Sequence, residues 1–505
     1  MAKNDSGNAA SVDASKVDEL LKTETGGRAL TGPAAVLLFI VPVCWSLFQL
    51  WIASPLPFIL NFGILNSTEE RSIHLAFAVF IAFTGFPMFK GKHTTRIPVY
   101  DWVLALLAAF TASYLFVFYD QLAQRPGAPI TFDLWVALGG LLLLLEATRR
   151  ALGLPLTIVA GVFIFYSLAG PYMPTVISHA GASLSKLASH QWLGTEGVFG
   201  VALGVSTSFV FLFVLFGALL ERAGAGNYFI KVAYAMLGHM RGGPAKAAVV
   251  SSGLSGIISG SSIANVVTTG TFTIPLMKRV GFPATKAGAV EVAASTNGQL
   301  TPPVMGAAAF LMVEYVGISY LEVIKHAILP ALLSYIGLLY IVHLEACKMG
   351  MEGIERLNRP TLAQRLLTWV VVLIGLIALS LAVYYGVGWT KSVFGEAAAW
   401  ILGPFVLLAY IGLVKYATLF PELEEDNPDD DLGVLPETGP TVKSGLYFLL
   451  PVAVLIWCLM VERFSPQLSA FWATLFMIFI VITHRPMKAF FRRHQGAGQQ
   501  FGEGV

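Results

Sequence analysis

The chain contains 505 residues, of which 56% are hydrophobic and 12% are charged, and its mean hydropathy is +0.72. This composition excludes an ordinary soluble globular domain and a disordered polar chain. The net charge of +2 offers no basic surface for a nucleic acid. The three cysteines, Cys44, Cys347 and Cys458, are too far apart for a disulfide framework or a metal motif. We therefore expect no nucleic-acid partner and no bound cofactor.

Apolar segments of about 20 residues, the length that a helix needs to cross a bilayer, recur along the chain. Because backbone polar groups in hydrocarbon must be hydrogen-bonded within their own segment, these segments are predicted to be helices. The fold class is therefore an all-α polytopic membrane protein. The predicted spans are 33–53, 73–89, 101–119, 134–150, 155–174, 198–220, 327–343, 369–387, 396–414, 447–461 and 468–483.

Positive charges are distributed unevenly between the loops. They concentrate before the first span, after the second and at the end of the fourth, at Lys3, Lys16, Lys22, Arg28, Lys90, Lys92, Arg96, Arg149 and Arg150. Since short loops rich in Lys and Arg stay on the cytoplasmic side, the N-terminus is predicted to be cytoplasmic. Residues 1–30 then form a cytoplasmic tail and residues 485–505 a second, basic one. We expect a multi-pass protein of the cell inner membrane, in contact with membrane lipids.

The amino-acid composition of the membrane regions changes twice along the chain. Residues 31–152 hold four Leu- and Phe-rich spans, and residues 153–197 a linking helix and loop. Residues 198–345 are rich in Gly, Ser, Thr and Ala and are interrupted by Pro, which is typical of helices that pack closely in a membrane. Residues 346–484 return to plain spans and include the acidic loop ELEEDNPDDD at 422–431. Charge runs are usually solvated loops.

A Gly- and Ser-rich turn interrupts the region 198–345. Pro244 begins the segment PAKAAVVSSGLSGIIS, the turn SGSS follows at 259–262, and SIANVVTTGTFTIP continues to Pro275. Pro is tolerated in the first turn of a helix, so both segments are predicted to be helices that end short of a full span. The pattern predicts a re-entrant hairpin over 244–277. Such backbone survives at membrane depth only where it is buried in protein or lines a wet cavity.

A second interruption, STNGQLTPP at 295–303, falls within the helical run 284–317. Gly298 gives a helix little support, and the two prolines lack an N–H, so helical hydrogen bonding is predicted to fail there. A helix broken at mid-membrane exposes carbonyls from its first half and N–H groups from its second half. The carbonyls suit a small cation such as Na⁺, and the N–H groups suit an anion.

The two interruptions together supply the candidate site. The polar side chains at these places include Ser261, Asn265, Asn297 and Thr301. Hydroxyl and amide oxygens are hard donors that fit Na⁺ better than a transition metal. The predicted Na⁺ ligands are Ser261, Asn265, Asn297 and Thr301. The alternative is that small polar residues here serve helix packing alone, and this is our interpretation of Thr268, Thr271 and Thr273.

Glu291, on the helix that leads into the break, is a further candidate for the site. A carboxylate inside a membrane is a functional candidate by default. Lys286, five residues earlier, is the alternative partner, and a pair between the two would make Glu291 a structural residue.

The two interruptions resemble a known family. The segments ISGSSIANVVTTGTFTIPLMKRVGF and AGAVEVAASTNGQLTPPVMGAAAFLMVEY are similar to the large membrane subunit of TRAP transporters, the tripartite ATP-independent periplasmic carriers. The spans within 31–152 resemble the small membrane subunit fused in front, as in permeases that work with TAXI-type binding proteins.

The resemblance implies a secondary carrier, and not an enzyme, that is driven by a Na⁺ gradient. It would receive an organic anion such as a carboxylate from a periplasmic substrate-binding protein of the TAXI type. The resemblance also implies an elevator motion, in which the hairpin-bearing region slides against a scaffold enlarged by the small-subunit helices. The resemblance implies that the hairpin tip and the break frame one sodium site and one wall of the substrate site. The residues that it assigns to substrate or ion binding are Ser259, Gly260, Ser261, Ser262 and Asn265 at the tip, and Asn297, Gly298, Thr301 and Pro302 at the break.

One departure from the family pattern bears on function. The family has two inverted copies of hairpin and broken helix, and a single copy is recognisable before Val505. We expect the second copy to come from a continuation of the chain or from another polypeptide. Two alternative functions remain: a non-transporting scaffold subunit, and a membrane-embedded transferase that uses the acidic loop, although the sequence contains no HExxH, P-loop or GxSxG motif.

Overall fold

The computed structural model describes residues 26–28, 30–89, 95–354, 361–421 and 435–492. Within these ranges all regular elements are helices and no strand occurs, which confirms the all-α class. The acidic loop at 422–431, most of the N-terminal tail and the end of the basic tail from residue 493 lie outside the described residues.

The main helices of the described ranges occur in the following order along the chain. They are α1 (Pro33–Ala53), α2 (Ser67–Gly85), α3 (Val99–Val117), α4 (Thr131–Leu152), α5 (Leu154–Ala169), α6 (Leu184–Trp192), α7 (Val201–Arg222), α8 (Ala225–Leu237), α9 (Gly243–Ser259), α10 (Ser262–Arg279), α11 (Ala284–Gly298), α12 (Ala307–Val316), α13 (Tyr320–Lys348), α14 (Leu362–Phe394), α15 (Ala398–Ala417), α16 (Leu450–Met460) and α17 (Pro466–Phe491). A π-helical turn at Ser206–Val210 interrupts α7.

Among the described residues, nine helices are long and apolar enough to cross a membrane: α1, α3, α4, α5, α7, α13, α14, α15 and α17. Each coincides with a predicted span, which confirms those predictions. Two predicted spans need correction. The segment predicted at 447–461 is a shorter apolar helix, Leu446–Met460. The helix predicted at 73–89 is α2, which begins earlier, at Ser67, and ends at Gly85.

Helix α2 begins at Ser67 because Asn66 caps it. The side chain of Asn66 accepts hydrogen bonds from the N–H groups of Thr68 and Glu69, both at 3.0 Å, and the Glu69 carboxylate accepts from the Asn66 N–H at 2.8 Å. This reciprocal capping box satisfies N–H groups that lack a partner at a helix start. Because its first turn is polar and charged, α2 is not among the nine apolar helices.

The chain folds into two compact units. The first comprises residues 1–215, 306–323 and 464–471, and the second comprises residues 216–305, 324–463 and 472–505. The boundaries predicted from sequence at 152, 197 and 345 mark changes in composition, and they stay predictions.

In the first unit, α2 and α3 pack side by side and α4 completes the core. Ala105, Ala108 and Ala112 are buried on one face of α3, where their spacing matches the helical repeat. Small side chains on that face let the neighbouring helix approach closely. Phe83 of α2 and Trp192 of α6 fill the space beside them and are fully buried.

A buried ionic cluster fastens the first unit at one end. Asp101, in the first turn of α3, pairs with Arg28 and also accepts from Arg150 Nη1 at 2.7 Å. All three side chains have no exposed surface. Arg28 donates further to the carbonyl of Thr84 at 2.9 Å. The cluster therefore connects the segment before α1 with the ends of α2, α3 and α4.

In the second unit, α9, α10 and α11 pack around small residues. Ala245, Ala248, Ala287 and Ala294 are buried in one cluster, and residues of α13, including Val342, pack against it. With almost no side-chain volume between them, the helix backbones approach each other closely. This packing positions the hairpin tip and the break.

Candidate functional site

The predicted hairpin is present as α9, with 17 residues, and α10, with 18 residues, joined by Gly260 and Ser261. Gly260 adopts φ +57°, a left-handed conformation that glycine reaches without strain, and its N–H donates to the Gly256 carbonyl at 3.3 Å. The Ser261 carbonyl accepts from the Asn265 N–H at 3.0 Å. The sequence indicated a second helix that reaches Pro275, within a hairpin over 244–277; in the structure α10 passes through this proline and ends at Arg279.

The hairpin tip packs directly onto the residues that follow the two prolines. A Cβ atom placed on Gly260 would lie 3.3 Å from Val304 Cγ1 and would overlap the carbonyl oxygen of Met305. Gln299, within the break, donates from Nε2 to Ser262 Oγ at 2.8 Å. The tip and the break, predicted separately, are therefore in contact.

Helices α9 and α11 cross where each has a glycine. A Cβ atom on Gly256 would overlap Gly298 Cα, and one on Gly298 would lie 2.9 Å from Gly256 Cα and 3.3 Å from Asn265 Nδ2. Gly298 thus has a packing role in addition to ending α11. The two backbones touch without intervening side chains.

The break spans the residues between Gly298, where α11 ends, and Ala307, where α12 begins. The Pro302–Pro303 peptide bond is cis. The carbonyl of Asn297 accepts from the Leu300 N–H at 3.0 Å, and the carbonyl of Gly298 accepts from the Thr301 N–H at 3.1 Å. The carbonyls freed by the break are therefore partly satisfied by the turn, and each keeps a second lone pair.

Asn297 and Thr301 face α13. Asn297 Oδ1 accepts from Ser334 Oγ at 2.8 Å, and Thr301 Oγ1 lies 3.1 Å from the Asn297 carbonyl and 3.5 Å from the Tyr335 hydroxyl. Thr301 and the half-buried Pro302 also border a larger cavity with apolar walls, which include Ile328, Leu332 and Leu459.

Asn265 faces a different part of the second unit. Its side chain is 1% exposed, and Nδ2 donates to the Ser252 carbonyl at 2.8 Å and to Ser252 Oγ at 2.9 Å. The amide oxygen borders a small cavity formed by the C-terminal part of α7, the start of α8 and both hairpin arms. The side chain of Ser259 lies outside the described residues, and Ser261 contributes its carbonyl. A single Na⁺ site built from Ser261, Asn265, Asn297 and Thr301 stays a prediction.

Glu291 is fully buried and contacts hydroxyl groups. Oε1 lies 2.5 Å from Thr269 Oγ1 and 3.2 Å from Ser295 Oγ, and Oε2 lies 2.5 Å from Thr273 Oγ1. The alternative pairing with Lys286 is wrong: Lys286 forms its salt bridge with Glu345 of α13.

The hydrogen-bond count at Glu291 favours a protonated carboxyl group. Thr269 Oγ1 also lies 2.7 Å from the Asn265 carbonyl, and Thr273 Oγ1 lies 3.0 Å from the Thr269 carbonyl. A hydroxyl has one hydrogen, so the two threonines cannot supply both carbonyls and both carboxyl oxygens. A proton on Glu291 adds a third hydrogen to the two that the threonines share among these four contacts. A neutral acid also suits a site from which solvent is excluded.

Thr268, Thr271 and Thr273, which we interpreted as packing residues, each bond to a carbonyl three or four residues earlier. Packing is not the whole role of two of them, because Thr273 also contacts Glu291 Oε2 and Thr268 is hydrogen-bonded to Glu221. The sequence reasoning missed three residues. Gln299 lies within the STNGQLTPP motif and could have been included on that ground, whereas Ser255 and Glu221, which line the cavity beside Asn265, carry no distinguishing local signal. Within the described ranges no group of three His, Cys, Asp or Glu side chains could hold a metal ion.

Comparison with known proteins places these features in a family. The family model for the DctM component of the tripartite ATP-independent periplasmic transporter matches residues 139–491. The C4-dicarboxylate TRAP transporter large permease protein DctM of Pseudomonas aeruginosa is 29% identical over 267 residues, covering 52% of this chain and 57% of the relative. The uncharacterized protein YgiK of Salmonella typhimurium is 24% identical over 230 residues, covering 44% and 50%. The isethionate TRAP transporter permease protein DctMQ of Oleidesulfovibrio alaskensis is 26% identical over 203 residues, covering 39% and 31%.

The chain spans about half the length of the first two of these relatives. The family match covers more than half of the chain and includes the hairpin, the break and most of the apolar helices. Family and helices together indicate a multi-pass protein of the inner membrane. Two of the three relatives are named as permeases, and no catalytic family is indicated. The chain belongs to the DctM family of tripartite ATP-independent periplasmic (TRAP) transporter permeases.

Proposed function

We propose that this chain is the permease component of a secondary active uptake system for organic anions, carboxylates in particular. The observation that carries the proposal is the contact between the hairpin tip and the broken helix. At the tip, α9 ends at Ser259 and α10 begins at Ser262, so carbonyl groups and N–H groups of two helix ends meet at one place. Helix ends of opposite polarity can bind a cation and an anion side by side, as transporter sites require.

The proposal also includes the direction of transport and its energy source. The N-terminus lies in the cytoplasm, a periplasmic binding protein of the TAXI type delivers the anion, and Na⁺ moving down its gradient drives uptake. Residues 31–152 act as a fused small subunit that enlarges the scaffold, against which the hairpin-bearing region moves as an elevator. A second hairpin and broken helix supply the opposite wall of the site. Two relatives support the substrate class, since their names specify a C4-dicarboxylate and isethionate, both organic anions.

Uptake into proteoliposomes tests this function. The complete native polypeptide is reconstituted with its binding protein, and entry of a radiolabelled C4-dicarboxylate is followed with an inward Na⁺ gradient and with choline in its place. We expect uptake only when both the gradient and the binding protein are present. Uptake that needs neither would refute the carrier mechanism.

Two variants connect uptake to the site. Asn297→Ala removes a side chain of the break and is expected to reduce uptake strongly. Thr296→Ala is the matched control, because Thr296 is exposed and bonds to the Val292 carbonyl of its own helix at 2.7 Å. If Asn297→Ala, Asn265→Ala and the control all transport like the wild type, the residues of the break and hairpin serve packing, and the scaffold function is favoured.

A further inference from the structure

Helix α7 changes its winding at the π-helical turn Ser206–Val210. Successive residues of an α-helix project about 100° apart, so residues five apart project about 140° apart. At this turn the Phe211 N–H donates to the Ser206 carbonyl, five residues earlier, which brings Ser206 and Phe211 to the same side of α7. Such turns are rare inside α-helices and are frequent at functional sites. The contacts of these two residues should therefore explain the turn.

Both residues face His74 of α2. His74 Nε2 lies 3.1 Å from Ser206 Oγ, and the rings of His74 and Phe211 meet edge to face with their centroids 5.9 Å apart. The Trp45 ring of α1 lies 4.7 Å from the Phe211 ring, centroid to centroid. A regular α-helix would turn Ser206 and Phe211 to different sides. The π-helical turn is therefore what allows α7 to make both contacts with His74.

The neighbours of His74 determine which ring nitrogen carries its hydrogen. Trp45 Nε1, which can only donate, lies 3.1 Å from His74 Nδ1. Nε2 of the fully buried Gln49 lies 2.5 Å from the same nitrogen. Because Nδ1 accepts, the ring is neutral and its hydrogen is on Nε2. His74 therefore donates to the hydroxyl of Ser206.

Arg71 provides a second contact between α2 and α7. It precedes His74 by three residues and so lies on the same face of α2. Its Nη1 donates to the Phe199 carbonyl at 2.9 Å, and a Cβ atom on Gly204 would lie 2.6 Å from its Nη2. Helix α2 thus contacts α7 before its first turn and again at the π-helical turn. Two contacts on one face fix the rotation of this part of α7.

The same turn also carries α12. The Phe209 ring, within the turn, stacks on the Phe310 ring at 5.7 Å, and the Phe213 ring lies 5.0 Å from it, centroid to centroid. Phe310 is 1% exposed and lies in α12, which begins at Ala307 directly after the break. Aromatic pairs at these distances are attractive and depend on orientation. A rotation of the turn would therefore displace Phe310 and α12 with it.

We propose that His74 is a positioning residue for α12: its hydrogen bond to Ser206 holds the π-helical turn, and the turn holds α12 through Phe310. All these residues belong to the first unit. His74 lies outside the region 139–491 that the family model matches, whereas Ser206 and Phe310 lie within it. Helix α2 thus sets the position of a helix of the family region. The consequence for anion binding rests on the proposed function, in which the start of α12 supplies N–H groups to the anion.

Hydrogen exchange of the full chain in detergent tests this role without substrate. Ser206→Ala removes the acceptor of the His74 hydrogen bond. Ser208→Ala is the matched control, because the Ser208 hydroxyl lies in the same turn and bonds to the Gly204 carbonyl of its own helix at 2.8 Å. We expect Ser206→Ala to speed exchange of the α12 N–H groups about two- to tenfold, as the loss of one neutral hydrogen bond would. The control should leave exchange in α12 at the wild-type rate.

A second variant shows whether the effect passes through this hydrogen bond. His74→Phe keeps a ring in place and removes the Nε2 donor, so it should also speed exchange in α12. Adding Ser206→Ala to His74→Phe should speed it no further, because both changes remove the same bond. Exchange in α15, in the second unit, should stay at the wild-type rate and shows that each variant is folded.

Three results would overturn the proposal. Faster exchange confined to α2 and α7 would mean that His74 holds the turn alone. An equal increase in α12 with Ser208→Ala would make any loss of a hydroxyl in the turn sufficient. Increases that multiply in the double variant would show that His74 and Ser206 act separately.

Uptake measurements separate this proposal from the proposed function. In a working carrier, Ser206→Ala should raise the KM for the anion severalfold and change kcat less, because the start of α12 would be misplaced for binding. An unchanged KM together with faster exchange in α12 would contradict the anion site at α12 and support the role of His74. A wild type without uptake would refute the proposed function, and the exchange rates would still test His74.

Discussion

The contact between Gly256 of α9 and Gly298 of α11 makes a sharp prediction, because adding one methyl group should push two helices apart. A Cβ atom on Gly256 would overlap the Cα atom of Gly298, and the obstacle is backbone that cannot rotate away. From the other side, a Cβ on Gly298 would lie 2.9 Å from Gly256 Cα, whereas ordinary contact begins at 3.4 Å. A separation of about half an ångström would restore ordinary contact for Gly298→Ala, and Gly256→Ala needs a larger one because its Cβ atom lies closer to the opposing backbone.

Two contributions of opposite sign determine how Gly256→Ala changes the free energy of unfolding. Replacing Gly by Ala in a helix interior favours the helix by about 1 kcal/mol. Overpacking at a tight contact costs about 1–3 kcal/mol. Gly288→Ala, in α11, is the matched control, because nothing lies within 4 Å of a Cβ there. The control should be stabilised by the higher helix propensity of Ala alone. The difference in the free energy of unfolding between the two variants therefore measures the cost of overpacking.

Unfolding of both variants by denaturant in detergent gives the two free energies. We expect Gly288→Ala to be more stable than the wild type and Gly256→Ala to be less stable than Gly288→Ala by about 1–3 kcal/mol. Uptake by Gly256→Ala should fall as well, since the displaced α9 carries the hairpin tip. If the two variants are equally stabilised, α9 and α11 do not touch at these glycines and the packing argument fails.

Three further predictions concern stability in the same assay. Glu291→Gln, which has the shape of a protonated carboxyl group, should change the free energy of unfolding by less than about 1 kcal/mol, whereas Glu291→Ala should cost about 3 kcal/mol by leaving a cavity and unpaired hydroxyls; equal losses would contradict the protonated state. Asp101→Asn should cost about 3–5 kcal/mol because Arg28 and Arg150 then lie buried without a countercharge, and a loss below about 1 kcal/mol would mean that the cluster is hydrated. Asn66→Ala should cost about 1 kcal/mol and speed hydrogen exchange in the first turn of α2; unchanged exchange there would argue against the cap.

The elements that follow from local chemistry were predictable from the sequence. Helix α1 has the predicted limits because Pro33 starts it and Ser54 and Pro55 stop it. The hairpin turn was predictable because Gly260 supplies a left-handed residue, and the break because two prolines remove N–H donors. The displacement of α2 was missed because hydrophobicity alone does not register a polar capping box. The extension of α10 beyond Pro275 to Arg279 depends on its neighbours, because one lost hydrogen bond does not end a helix that they support.

The hydropathy pattern and the two interruptions thus determined the membrane class, the number and order of most helices, and the segments that carry the candidate site. Only the tertiary structure decided which way each side chain points and what it meets. Consecutive residues on a helix project about 100° apart, so Asn297 meets α13 while Gly298 meets α9. Lys286 pairs with Glu345, 59 residues away, and Glu291 finds the hydroxyls of α10. Glu221 and Asn265 come to one cavity only because α7 packs beside the hairpin, and no local pattern encodes that approach.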